Sequence, residues 1–205
     1  MMLLRVNPNR MEFLKLKRRL IVAKRGHKLL KNKRDALIQE FIRVAKEDKE
    51  IREELEEKLM KCYGIFSNVS SLMSKITLEE TLMFPKIKSE AEISYKNIMS
   101  VNVPKFKFKS NGNYFSYSLV DTTAEIDSAL NNFYEILPLM LNLAELDKTV
   151  TLLANEIEKT RRRVNALEYV LIPDLEETIK FITMKLDEMA RSNSSAIMRI
   201  KEILK

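Results

Sequence analysis

Two stretches of this chain repeat apolar residues at alternating steps of four and three, and that spacing leaves few folds open. The first runs Leu16, Leu20, Ala23, His27, Leu30, Arg34, Leu37, Phe41, Val44, Asp48, Ile51, Leu55. The second runs Leu143, Leu146, Val150, Leu153, Ile157, Thr160, Val164, Leu167, Leu171. Steps averaging 3.5 residues keep one stripe of a helix facing a partner helix. Two such stripes in one chain, with room to reverse direction between them, predict that the arms pack on each other. The expected fold is mainly α: a long antiparallel two-helix coiled coil formed by the N- and C-terminal arms, with a small central region. Such a rod buries a stripe rather than a ball and has nowhere to enclose a substrate. A mechanical or adhesive function is therefore expected, and catalysis is not.

Composition agrees. Of 205 residues only 3 are glycine and 5 proline, while 32% are charged, the makeup of a long-helix protein. No apolar run of membrane-spanning length occurs, and the start, Met1 to Pro8, lacks the apolar core of a secretory signal. The single cysteine, Cys62, continues the first seam, which favours a buried structural thiol over a reactive one and a reducing, cytosolic compartment. The net charge of +7 is lopsided. Residues 10–34 hold eleven Lys or Arg against one acid, Glu12, a window charge of +10 that leaves −3 for the rest. The plain reading is a soluble helix face; the sharper one is a docking end for an acidic partner or for nucleic acid.

The first arm is expected to start near Pro8 to Arg10, with Asn7 as cap and Pro8 in the first turn, and to run to about residue 75. Successive steps of four at Ile51, Leu55 and Leu59 form a stutter that relaxes the supercoil locally. Gly64, inside the helix, marks a bend or a close approach. From Ile98 to Leu119 the period changes to two. Phe106 and Phe108 alternate with Lys105, Lys107 and Lys109, and Ser110-Asn111-Gly112-Asn113 precedes Tyr114, Phe115 and Tyr117. Asn-Gly between alternating runs predicts a β-hairpin over about 98–119 with its turn at Asn111-Gly112. Lysine alternating with phenylalanine also fits stacking on single-stranded nucleic acid, although a half-buried strand explains the same letters. The segments are 1–76, an N-terminal coiled-coil helix; 77–125, a central region with the hairpin; and 126–205, a C-terminal coiled-coil helix. In the last, Pro138 and Pro173 are expected to interrupt or kink the helix. A second stutter falls at Leu171, Leu175 and Ile179, and Ser192 to Ser195 form a weak break. One antiparallel register places Leu16 near Met189.

Catalytic chemistry finds little footing. No phosphate-binding glycine loop is present, and one histidine with one cysteine cannot supply a soft metal site. No metal, cofactor-binding or catalytic residue is therefore assigned. His27, Arg34 and Asp48 fall on the seam, where polar residues set register. Arg161-Arg162-Arg163 is less easily absorbed, because three successive residues at about 100° fan over more than half of a helix circumference. They form either a solvated band beside Glu156 and Glu158 or a ring of contacts to an acidic surface.

Those arginines lie in a stretch with a resemblance. Glu156 to Glu168 (EIEKTRRRVNALE) and Ile172 to Ile179 (IPDLEETI) resemble the D subunits of the V-type and archaeal A-type rotary ATPases. So do Asn7 to Glu12 (NPNRME), Leu16 to Leu20, Gly26 to Asp35 (GHKLLKNKRD) and Lys96 to Val101 (KNIMSV), with Asn9 standing where the family usually has threonine. The resemblance covers nearly the whole chain. It implies a non-catalytic rotor axle that transmits torque between a hexamer of A and B subunits, where ATP is hydrolysed or made, and a membrane ring that moves protons or sodium ions. It also implies a small partner, the F subunit, near the hairpin, and a funnel-like partner, the C (or d) subunit, under the stalk. The chain would be cytoplasmic and peripheral to the membrane, without inserting into it and without binding nucleic acid. On this basis Arg10, Lys17, Arg18, Lys24, Arg25, Lys28, Arg161, Arg162 and Arg163 are expected to touch the hexamer, and Phe106, Phe108, Tyr114 and Tyr117 the small partner. The reading from residues alone keeps a generic coiled-coil scaffold or tether with a basic docking end as the alternative.

Overall fold

The computed structural model describes residues 6–83, 86–112, 117 and 122–204. In order these form α1 (Arg10–Leu72), α2 (Lys75–Leu82), β1 (Lys88–Ile98), β2 (Val101–Asn111), α3 (Ala124–Ala166), a π-helical turn (Leu167–Leu171) and α4 (Ile172–Ile203). Two compact units emerge, one of residues 1–36 with 157–205 and the other of residues 37–156.

Helix α1 starts one residue after Asn9, not after Asn7. The Asn9 side-chain oxygen accepts the Glu12 backbone N–H at 2.7 Å, which satisfies one of the orphan donors of the first turn. An asparagine caps a helix as well as a threonine does. Asn9→Ala is expected to cost about 1 kcal/mol, read as fraying of residues 10–13 by amide exchange.

The seam is visible as burial. Buried positions in α1 are Leu16, Ala23, Leu37, Val44, Leu55, Cys62 and Val69, spaced in sevens or fourteens except for one eleven-residue step from Val44 to Leu55. That step is the predicted stutter. Gly64 meets no neighbour within 4 Å where a Cβ would stand, and α1 continues through it, so it is no close approach. In the C-terminal arm the fully buried residues include Leu153, Thr160, Val164, Leu175, Thr178 and Ile182. The Thr149 and Thr178 hydroxyls donate to the carbonyls of Glu145 and Asp174, four residues back, at 2.8 and 2.6 Å, so both can lie in an apolar seam.

In the first unit Leu16 and Ala23 of α1 pack with Leu175 and Ile182 of α4, flanked by Phe13, Leu20, Ile179 and Leu186. Lys24 meets Glu176 at 2.6 Å and His27 meets Glu168 at 3.3 Å, so numbers rise on one helix as they fall on the other. The pair is antiparallel, as expected, but its register is not the anticipated one. Leu16 shares a core with Ile182, whereas Met189 is 49% exposed. Leucine seams repeat every heptad and tolerate several registers; Lys24–Glu176 and His27–Glu168 mark the one adopted.

The second unit is built the same way from other residues. Leu55, Cys62 and Ile136 form its core with Leu59, Phe133, Leu139 and Leu143. Phe133 takes Tyr63 and Phe66 edge-on at 6.1 and 6.0 Å. Arg52 reaches across to Asp147 at 2.9 Å while also holding Asp48. Pro138 does not interrupt α3. Its ring faces solvent, so the carbonyl it leaves unbonded can turn to water, while Ile136 and Leu139 hold the helix on its core.

Pro173 does change the helix. Without an N–H it cannot bond back in the α pattern, and just before it the Ile172 N–H bonds to the Leu167 carbonyl, five residues back. The resulting π turn carries the Glu168 that meets His27. The expected break at Ser192 to Ser195 is absent: α4 continues to Ile203.

The hairpin lies earlier than the sequence suggests. β2 is the predicted alternating strand, and it pairs antiparallel with Lys88–Ile98; the anticipated second strand after Gly112 lies, but for Tyr117, outside the described residues. The turn is Met99-Ser100, both at positive φ (48° and 72°). That is the geometry of a two-residue turn with primed twist, built without its usual Asn-Gly. Asn97 compensates: its side-chain oxygen accepts the Ser100 N–H at 3.0 Å and its amide donates to Asn102 at 2.8 Å. Writing Asn-Gly at 99–100 is expected to stabilise the hairpin by about 1 kcal/mol by removing left-handed strain, measured as a raised thermal midpoint. Gly112, expected in a turn, follows the last residue of β2 at φ 126°, with Lys86 lying against it.

From the Ile98–Val101 closing pair, hydrogen-bonded and non-bonded pairs alternate along the ladder. Tyr95–Pro104 and Ile93–Phe106 are then non-bonded pairs whose N–H positions point outward. Pro104 therefore costs the ladder no donor. The Phe106 N–H, pointing away from β1, donates to the Glu145 carboxylate of α3 at 3.0 Å.

Candidate partner-binding surfaces

Lys17 and Lys24, each one residue after a buried seam position (Leu16, Ala23), flank the seam of α1, while Arg18 and Arg25 lie on its outer side. Arg10, Lys17, Arg18, Lys24, Arg25 and Lys28 are all exposed. Two are partly engaged within the chain: Lys17 lies over the Phe13 ring at 5.5 Å and Lys24 pairs with Glu176. Such exposed ion pairs contribute little to stability, which leaves the ammonium groups available to a partner at small cost.

The same outer side carries apolar residues that charge counting overlooks. Leu14, Ile21, Val22 and Leu29 are 51%, 49%, 68% and 69% exposed. Leu14, Arg18, Ile21, Arg25 and Leu29 step four, three, four and four, so they share one helix face. The surface is therefore a mixed stripe, arginine alternating with aliphatic groups. The signal was in the sequence as a second apolar spacing, offset from the main seam.

Arg161, Arg162 and Arg163 are exposed, next to Val164, which is buried. Arg162 pairs with Glu158 one turn back. Among the described residues no acid of α1 pairs with any of the three, so the arrangement is a basic band.

Phe106 and Phe108 are half-buried on β2, and the Tyr117 hydroxyl donates to Asp127. Tyr114 lies outside the described residues. The hairpin's exposed apolar groups are instead on β1: Ile93 at 58% and Tyr95 at 73%. Sequence reading missed them because Lys88–Ile98 alternates weakly between charged and small residues. An apolar cleft of about 390 Å³ also lies in this unit, lined by Leu82, Ile87, Leu130, Phe133, Leu137 and Met140.

The seam's polar residues resolve into local pairs. His27 is half-buried against Glu168, and Arg34 donates twice to Asp35 at 2.8 and 3.0 Å. Asp48 keeps one carboxylate oxygen on Arg52 and the other buried without a hydrogen-bond partner among the described residues. Among those residues no group of three His, Cys, Asp or Glu could hold a metal ion, and no helix is long and apolar enough to cross a membrane.

Cys62 is fully buried, its thiol directed at the Ala129 carbonyl, and burial pushes its pKa upward by disfavouring the thiolate. The folded state holds this proton to higher pH than the unfolded one, so the group's contribution to stability is present at neutral pH and falls as pH rises above the ordinary thiol range. At pH 8 a thiol reagent is expected to label no more than a trace of the native chain and one equivalent once denaturant is added. Fast stoichiometric labelling without denaturant would contradict the burial.

Residues 12–202 match the family described as the ATP synthase D subunit. The V-type ATP synthase D subunit of Thermoanaerobacter sp. (strain X514) is 50% identical over 206 residues, covering 100% of this chain and 99% of that protein. The protein of the same description from Clostridium novyi (strain NT) is 50% identical over 206 residues, covering 98% and 95%. That from Acetivibrio thermocellus is 48% identical over 208 residues, covering 100% and 94%.

Proposed function

Because the chain belongs to the ATP synthase D-subunit family, we propose that it is the central rotor axle of a V/A-type ATPase or ATP synthase. In that role it passes torque between a catalytic hexamer and a membrane ring that translocates ions, and makes or breaks no bond itself. The observation that carries this reading is α1, unbroken over 63 residues and paired antiparallel, in each unit, with the C-terminal arm. A helix held along a continuous seam resists bending and twisting, which torque transfer requires. Residues 1–76 and 126–205 supply the shaft, and 77–125 carries the hairpin.

The exposed arginines suit a bearing. An axle must not lock at one angle, and long charged side chains in water make many weak contacts instead of one deep anchor. The hexamer formed by A and B subunits is read as the partner of Arg10, Lys17, Arg18, Lys24, Arg25, Lys28 and Arg161 to Arg163. The small F subunit is read as the neighbour of the hairpin region, and the funnel-like C (or d) subunit as the seat on the membrane side. The protein would then be cytoplasmic and peripheral to the membrane.

Changing Arg161, Arg162 and Arg163 together to alanine tests this. All three are exposed, so the isolated variant should keep its helicity. In the reconstituted complex, ions moved per ATP hydrolysed should drop several-fold while hydrolysis continues. Unchanged coupling, or loss of helicity in the isolated variant, would reject the bearing role.

A further inference from the structure

We propose that the free protein pairs with a second copy of itself through the open edge of β1, joining two hairpins into a four-stranded antiparallel sheet. This goes beyond the axle reading, since such a pair has to separate before one copy can enter a hexamer.

Three observations carry it. The first is the edge itself. β1 is eleven residues long, its first ten all exposed, in a sheet of two strands among the described residues. By the alternation fixed at the turn, Ser89, Ala91, Ile93, Tyr95 and Asn97 turn their N–H and C=O groups away from β2. No proline interrupts that row. Folded proteins normally blunt such an edge.

The second is the face. Ala91, Ile93 and Tyr95 lie on one side of β1, opposite Phe108, Phe106 and Pro104 of β2. On β2 those residues are half-buried or buried, whereas Ile93 and Tyr95 are open to solvent. The apolar face continues from a covered strand onto an uncovered one.

The third is self-complementarity. A two-fold axis at Ile93 is the antiparallel register that overlaps all eleven residues. It sets Ile93 against its own copy, Ala91 against Tyr95 and Glu90 against Lys96, each mixed pair occurring twice. Small meets large and acid meets base. Shifting the axis to Glu92 sets Glu92 on Glu92 and Lys88 on Lys96, repulsive at three places. Glu92 is already held by Lys109 within the hairpin, whereas neither Glu90 nor Lys96 makes an ion pair among the described residues.

The test uses sedimentation equilibrium of the full chain over micromolar concentrations. The wild type should shift from monomer to dimer. Ile93→Pro removes an outward donor while sparing the ladder, as Pro104 does on β2, and should weaken dimerisation roughly tenfold or more with circular dichroism unchanged. Lys96→Glu should weaken it as well. Combining Glu90→Lys with Lys96→Glu, or mixing the two single variants, should restore it. A wild type that stays monomeric, an Ile93→Pro chain that dimerises equally well, or no recovery in the charge swap overturns the proposal. So does a monomer whose β1 edge becomes protected from amide exchange only when a different protein of the complex is added.

Discussion

Replacing Ile182 by alanine is expected to destabilise the unit formed by residues 1–36 and 157–205 by about 3 kcal/mol. The side chain is fully buried between Leu16, Ala23 and Leu175, and a two-helix pairing has no third layer that could collapse into the void. Amide exchange in residues 16–24 should speed up on the order of a hundredfold, since each 1.4 kcal/mol is a factor of about ten. Ile197→Ala serves as the control. That residue is 66% exposed in the same helix and should change stability by less than about 0.5 kcal/mol. Met189→Ala should resemble the control, because Met189 is no part of that core. If Met189→Ala proves as costly as Ile182→Ala, the pairing of Leu16 with Ile182 is wrong.

Gly112→Val should be the other large effect. A Cβ at this position would stand 2.6 Å from the Lys86 backbone oxygen and 3.1 Å from the Ile87 Cα, and φ is 126°. Backbone atoms cannot swing aside as a flexible side chain can. The left-handed conformation adds about 1–3 kcal/mol of strain for a residue with a side chain, more for a β-branched one. A combined loss of about 3 kcal/mol or more is expected, localised to the hairpin and seen as lost exchange protection in residues 88–111. Gly64→Val, in open space on α1, separates this steric cause from a general dislike of valine at glycine positions and should cost far less.

Such asymmetry explains which parts of the fold were readable. The seam was legible because burial every seven residues leaves a direct imprint in the letters, and even the phase slip between Val44 and Leu55 showed. The hairpin's second strand was legible through Phe106 and Phe108. Its partner was not, since Met99-Ser100 reaches positive φ without the usual residues and is held by Asn97. Asn111-Gly112 did mark a glycine-only conformation, at the end of β2 beside Lys86. The π turn left only a proline and two steps of four. Register stayed hidden because a heptad seam fits itself at several offsets; Lys24–Glu176 and His27–Glu168 mark the one adopted, but such pairs are invisible to periodicity.

Of the surfaces, the basic residues could be read and were found exposed. The aliphatic groups threaded among them, Leu14, Ile21, Val22 and Leu29, were masked by the dominant heptad. The hairpin's exposed apolar pair, Ile93 and Tyr95, was missed for the same reason as its strand.

The most direct measurement places reversible disulfides in a Cys62→Ala background of the reconstituted complex. Lys24→Cys with Glu176→Cys, joined by a reducible bis-thiol linker long enough to replace the two side chains that meet there at 2.6 Å, locks α1 to α4 within one chain. Arg162→Cys paired with a cysteine on the surrounding hexamer locks axle to ring. If this protein turns as one stiff body, closing the first link leaves ATP turnover intact, and closing the second stops it until reductant is added. Full turnover with the axle tied to the hexamer, or arrest by the internal lock alone, would contradict the rotor account.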